Sequence, residues 1–224
     1  MTTGGEISQS TGVRPARQWW IWALAVIIFG LAIWYCGANF GRWKDRFVPR
    51  KLRTVVAGQL YASGQIDRHL IRQVLADDHI KTIVCLVADD PNDPDVAEEI
   101  RAASDLGIER FNYPLSGDGT GDIHSYADAV AKIVESLKQG KPVLLHCSSG
   151  AQRSNGATFY YRVLVQQWDA DSAAQEMFRN AHNPRENPML IPYLNQHMAE
   201  MAQLLVDRSI IDRTPDPLPQ IHHD

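Results

Sequence analysis

The chain has 224 residues, 45% of them hydrophobic and 21% charged, with a formal net charge of −4. That composition suits one ordinary globular domain with some chain to spare and excludes a disordered, collagen-like or wholly membrane-embedded protein. The charge is the sum of two unlike parts, because residues 1–53 carry eight Lys/Arg against Glu6 and Asp45 (net +6), whereas residues 54–224 carry 14 basic and 24 acidic residues (net −10). An acidic domain of that size argues against nucleic acid as a partner, since such binding relies on Lys and Arg neutralising phosphates.

Residues 1–18 read as an N-terminal tail and 19–41 as a transmembrane helix. No charged residue lies between Arg17 and Arg42, and the stretch from Trp19 to Phe40 is apolar almost throughout. As a helix it would reach about 33 Å, enough to cross a hydrocarbon core of about 30 Å. Trp19, Trp20 and Trp22 at one end and Trp34 and Trp43 at the other suit the two interfaces. The apolar run is longer than that of a cleaved signal peptide and no small-x-small site follows it. Tyr35 before Cys36 fits poorly with a lipid-modified cysteine. An uncleaved anchor is therefore expected. Arg14 and Arg17 precede it, while Arg42, Lys44, Arg46, Arg50, Lys51 and Arg53 follow, so the positive-inside rule places the C-terminal domain in the cytoplasm. Three cysteines, Cys36, Cys85 and Cys147, are too few for a disulfide framework and agree with a reducing compartment. The basic linker, 42–54, serves as a topology signal or meets anionic headgroups.

In the expected catalytic domain, 55–207, short apolar runs alternate with helical patterns. Lys81–Val87, Arg110–Leu115 and Pro142–His146 read as strands. Helices are predicted over about Asp67–Ala76, from Pro94 (after Asp93) to Gly107, and over Ile123–Lys138 with Asp122 as N-cap and Gly140 beyond its end. Further helices follow at Ser154–Gln167, Asp171–Asn180 and about Ile191–Val206. This alternation argues an α/β fold, a central sheet flanked by helices, preceded by the one transmembrane helix. Residues 208–224 form a Pro-rich tail whose His222 and His223 are too isolated for a metal site.

The chemistry concentrates in His146–Ser154, HCSSGAQRS. A cysteine leaves a buried strand, small residues make a turn, and an arginine and a serine open a helix. Backbone N–H groups of such a loop converge on a point that suits a tetrahedral dianion, and Arg153 adds a bidentate clamp. The same positive field favours the thiolate of Cys147, so a nucleophile and an oxyanion cradle arise together. A Cys and an Arg at this spacing are weak evidence alone. With His146, Gly150, Ser154, the strand before and the helix after, the set resembles the HCxxGxxR[ST] signature of the protein tyrosine phosphatase superfamily, and among its branches the compact dual-specificity phosphatases. The resemblance covers roughly Leu60 to Val206. It implies that Cys147 attacks phosphorus, that Arg153 and the backbone of Ser148, Ser149, Gly150, Ala151 and Gln152 hold the equatorial oxygens, and that Ser154 stabilises the leaving thiolate. His146 is then a structural residue behind the loop, because neighbours along a strand point to opposite faces.

The resemblance also implies an Asp that protonates the leaving group, on a loop some thirty positions before the cysteine. Ser116–Asp122, SGDGTGD, offers two. Asp122 already has a local role as N-cap, whereas Asp118, flanked by Gly117 and Gly119, sits on a chain able to close over substrate. Asp118 is favoured and Asp122 stays as the alternative. Asp89, Asp90, Asp93 and Asp95 read as turn and helix-start residues, with a place for Asp89 and Asp90, near a strand's C-terminal end, in a substrate loop as the alternative. Cys85 reads as core, with a resolving partner for oxidised Cys147 as the alternative, and Arg185 as an exposed surface residue. The expectation is a membrane-anchored phosphatase working through a phosphocysteine intermediate, with no metal or other cofactor. Phosphorylated Tyr, Ser or Thr in proteins is the favoured substrate, since the loop carries no extra cation and the domain is acidic. A phospholipid or phosphoinositide headgroup is the alternative, and a phosphate-binding pseudophosphatase that recruits partners to the membrane is a third reading.

Overall fold

The structure is a computed structural model that describes residues 19–222. The tail 1–18, with Arg14 and Arg17, and His223 lie outside them. The chain divides between Trp43 and Lys44 into two units. The first is built on α1 (Trp19–Asp45), which has no acidic residue in its first turn. Its segment Trp20–Ala38 is 19 residues long with a mean hydropathy of 2.1, and none of it is buried, so it is long and apolar enough to cross a membrane. The helix passes the expected boundary at residue 41 and ends at Asp45.

The second unit is the α/β domain. Its five-stranded sheet has the order β1-β2-β5-β3-β4. The strands are β1 (Arg53–Val56), β2 (Leu60–Ser63), β3 (Thr82–Cys85), β4 (Glu109–Asn112) and β5 (Val143–His146). β1 and β2 form an antiparallel hairpin around Gly58 (φ 68°), and the other neighbours are parallel. The hairpin escaped the sequence reading. RTVV and LYAS are four residues each and lack the continuous apolar run that exposed β3 and β5. Arg53, assigned above to the basic linker, opens β1.

The helices are α2 (Ile71–Asp77), α3 (Pro94–Leu106), α4 (Ile123–Lys138), α5 (Arg153–Tyr160), α6 (Ala170–Arg179), α7 (Leu190–Gln196) and α8 (Met198–Asp207). The expected caps are present: Asp93 accepts from the N–H of Asp95, Asp122 from that of His124, and Gly107 adopts the left-handed C-cap. Two predicted helices differ. The one begun at Ser154 widens into a π-turn at Tyr161–Val165, where Arg162 bonds to both carboxylate oxygens of Glu176 and to the Val55 carbonyl, all at 2.8 Å. The last one breaks at His197, which is the C-cap of α7 and the N-cap of α8.

Two cores flank the sheet. Ile83 and Leu144 pack with α2 and α3 on one face, while Val84, Val143, Leu145 and Cys147 pack with α4, α5, α7 and α8 on the other. Strand alternation therefore sends His146 and Cys85 to the α2/α3 face and Cys147 to the opposite one. The segment expected as a C-terminal tail partly folds back. Asn195 bonds both the N–H and the C=O of Ile221, whose side chain is buried in the larger core.

Candidate active site

The turn between β5 and α5 has the geometry expected of an anion cradle. The Gly150 N–H points at Cys147 Sγ, 3.2 Å away, and Ser154 Oγ lies 3.6 Å from the same sulfur. Among the described residues, no protein acceptor takes the N–H groups of Ser148, Ser149, Ala151 or Gln152. They are left to a ligand. The Ser148 carbonyl faces outward, accepting from the Gln65 N–H at 3.0 Å and from Arg50 Nη1 at 3.5 Å.

Gly150 has φ 73°, and a Cβ there would lie 2.6 Å from the Gly64 nitrogen and 2.9 Å from the Ser63 carbonyl carbon. Both neighbours are backbone, so neither yields cheaply. Gly150→Ala is expected to cost at least about 2 kcal/mol, seen as a Tm lower by several degrees. An unchanged Tm would mean the loop does not approach the β2 end this closely.

Arg153 is 9% exposed. Its Nη1 donates to the carbonyls of Leu86 and Leu115 at 3.3 and 3.4 Å, while Nε is buried without a partner. The guanidinium is thus anchored along one edge, with donor capacity left for an oxyanion. Burial by itself would push the Cys147 thiol up. The backbone N–H and hydroxyl of Ser154, the Arg153 cation and the Gly150 N–H outweigh it and hold the thiol below its ordinary value.

Cys147, Arg153, Ser154 and the loop backbone are brought together, and Asp118 is close enough to feel the Arg153 charge. The Asp118 carboxylate accepts from the N–H and hydroxyl of Thr120 at 3.0 and 2.8 Å. Those bonds, followed by Arg153, hold it below the usual carboxylate range. Its loop is seated rather than loose. Tyr126 and Tyr193 hydroxyls donate to the carbonyls of Gly119 (2.6 Å) and Gly121 (2.9 Å), and a Cβ on Gly119 would touch Gln152 at 3.3 Å. Asp122 spends a carboxylate oxygen on capping α4.

Three further residues were not assigned to the site from sequence. Arg53 donates to the Gly150 carbonyl at 3.1 Å and to Asn155 Oδ1 at 2.7 Å, placing a second cation behind the loop. Its position ahead of the Gly58 turn was the available signal, masked by the surrounding basic run. His182, buried against Phe178, shares a 2.6 Å hydrogen bond with Gln152 Oε1 and is pushed below its usual value by burial. Nothing local in the sequence announces that pair. Glu99 is the third, buried against His146. Cys85 lies with them rather than on the Cys147 face. Asp89 pairs with Arg110, Asp90 and Asp93 cap their own turns, Asp95 accepts from the Arg68 N–H, and Arg185 is exposed.

No protein-family model and no curated protein matches the chain. Solved structures do. TpbA from P. aeruginosa matches with 21% identity over 71% of this chain and 91% of that one, with a TM-score of 0.56. The core catalytic domain of the PP-IP phosphatase Siw14 from S. cerevisiae matches with 18% identity over 76% and 97%, also at 0.56. PTPMT1 matches with 14% identity over 68% and 99%, at 0.52. The fold is therefore that of the cysteine-dependent phosphatases of the protein tyrosine phosphatase superfamily.

Proposed function

We propose that this protein is a membrane-anchored, cysteine-dependent phosphatase whose substrates are phosphorylated Tyr, Ser or Thr residues in proteins. The observation that carries the reading is the Cys147 sulfur held by the Gly150 N–H inside a loop of unpartnered N–H groups, with the Arg153 guanidinium anchored beside it. The Cys147 thiolate attacks phosphorus from the floor of the loop, forming the S–P bond as the P–O bond to the leaving group breaks. Arg153 and the loop N–H groups hold the three remaining oxygens. Asp118 gives its proton to the leaving oxygen, then takes one from the water that attacks the phosphocysteine. As the S–P bond breaks, the Ser154 hydroxyl donates to the returning thiolate. Asp118 is ionised in the free protein, and a bound dianion both neutralises Arg153 and adds negative charge, which drives the carboxyl to its protonated form.

Protein substrates are supported by the acidity of the domain, which gives little steering for polyanions, and by the fold shared with TpbA, of which a variant is known in complex with phosphotyrosine. A phospholipid headgroup is the second reading, favoured by the apolar α1 and by Arg50 at the Ser148 carbonyl. The basic residues that follow the apolar segment support a cytoplasmic side for the domain.

The test is turnover of p-nitrophenyl phosphate, phosphopeptides and phospholipids side by side by the full chain in detergent. Phosphopeptide hydrolysis is the expected result. Hydrolysis of phospholipid alone would favour the second reading, and phosphate binding without any turnover would leave a pseudophosphatase. Asp118→Ala should lower kcat about 10²–10³-fold on substrates with poor leaving groups, with a smaller effect on p-nitrophenyl phosphate. An unchanged rate would move the role to Asp122.

A further inference from the structure

The carbonyl groups on the outer side of the anion loop are each tied down. The Ser148 carbonyl accepts from the Gln65 N–H at 3.0 Å. The Gly150 carbonyl accepts from Arg53 Nη1 at 3.1 Å, and the Ala151 carbonyl from Asn155 Nδ2 at 2.8 Å. Arg53 Nη2 also donates to Asn155 Oδ1 at 2.7 Å. That contact turns the buried Asn155 amide so that its NH2 faces the carbonyls of Ala151, Asn180 and Met177. One guanidinium, from the first residue of β1, therefore governs two consecutive peptide planes: Gly150–Ala151 directly, and Ala151–Gln152 through Asn155.

A trans peptide is planar, with its C=O and N–H on opposite sides. A carbonyl held outward therefore aims the next residue's N–H inward. The Gly150 carbonyl sets the N–H of Ala151 in this way, and the Ala151 carbonyl sets that of Gln152. Neither N–H has a protein acceptor among the described residues. Gly150 brings no side chain to hold its plane and Ala151 only a methyl group, so the donors behind the loop must do it. A carbonyl deprived of its donor is free to turn into the cradle, where it opposes an anion instead of binding it. We infer that Arg53 is a positioning residue for the anion cradle, keeping the Ala151 and Gln152 N–H groups turned toward the bound phosphoryl group. Its purpose rests on the phosphatase reading, but the effect needs only that the loop bind phosphate. Two terminal nitrogens in a fixed fork are required, because Gly150 and Asn155 are addressed at once.

The test follows the backbone amides of the full chain in detergent by heteronuclear NMR while inorganic phosphate is added. In the wild type the amide protons of Ser149, Ala151 and Gln152 should all move downfield as they bond to phosphate oxygens. Arg53→Met keeps the apolar stem and removes every donor. At saturating phosphate its Ala151 and Gln152 shifts should shrink, while that of Ser149, whose plane is held by Gln65, persists. Phosphate affinity should weaken roughly tenfold. Arg53→Lys keeps the charge, but a single nitrogen cannot meet both partners, so at most one of the two shifts should return. Undiminished Ala151 and Gln152 shifts in Arg53→Met overturn the inference. An equal loss at Ser149 does so too, because it marks general damage to the loop, and full recovery of both shifts in Arg53→Lys would assign the effect to charge alone. Should Arg53→Met fail to fold, Arg53→Lys decides by the same comparison, both shifts at wild-type size overturning the inference. Phosphate bound without turnover would sink the proposed function alone, since the amide shifts still decide the role of Arg53. A wild-type loop that binds no phosphate would sink both.

Discussion

Cys147→Ser in the full chain is expected to reduce p-nitrophenyl phosphate turnover by about four orders of magnitude or more, to background. The reason lies in how the sulfur is held. The Gly150 N–H at 3.2 Å and Ser154 Oγ at 3.6 Å address an anion at this position, and a serine hydroxyl supplies none near neutral pH. The protein should remain folded, because the change is close to isosteric, and it should still bind phosphate through the loop N–H groups and Arg153. The wild-type pH profile follows from the same contacts. With the thiol held below its ordinary value and a proton needed on Asp118, kcat/KM should rise and then fall again as the pH is raised, a bell and not a plateau. Turnover that survives in Cys147→Ser would place the nucleophile elsewhere and sink the proposed function.

Arg153→Lys should lower kcat/KM about 10²–10³-fold on every phosphomonoester, p-nitrophenyl phosphate included. In the proposed mechanism the guanidinium performs two tasks at once: Nη1 ties the ends of the β3 and β4 connections through the Leu86 and Leu115 carbonyls, and the rest of the fork is left to hold the oxyanion. A lysine has a single charged nitrogen. If it reaches the carbonyls it cannot also span two phosphate oxygens, and if it turns to the phosphate it leaves two buried carbonyls without their donor. Inhibition by inorganic phosphate should weaken along with kcat/KM. A variant that keeps wild-type kcat/KM would show that the loop N–H groups alone carry the stabilisation.

Much of this molecule was legible in the chain because the signals were local. The Trp-flanked apolar run of α1, the continuous apolar cores of β3 and β5, the Asp93 and Asp122 caps and the HCSSGAQRS turn each depend on contacts within a few residues. The separation of His146 from Cys147 also followed from strand alternation alone. What the sequence left open depends on residues far apart in the chain. Arg53 reaches the Gly150 carbonyl across 97 positions, Gln152 meets His182 across 30, and Glu99 meets His146 across 47. Such pairs have no period and no spacing, since they form only when the sheet order sets distant segments side by side. The same cause returned the supposed tail to the core at Ile221 and recast Arg53 from a linker charge into a support of the loop. The sequence by itself therefore determined the Cys147 turn between its strand and helix, and the apolar helix. Tertiary structure alone decided which buried charges stand behind them, because a buried carboxylate such as Glu99 is tolerated only where folding delivers all of its partners at once.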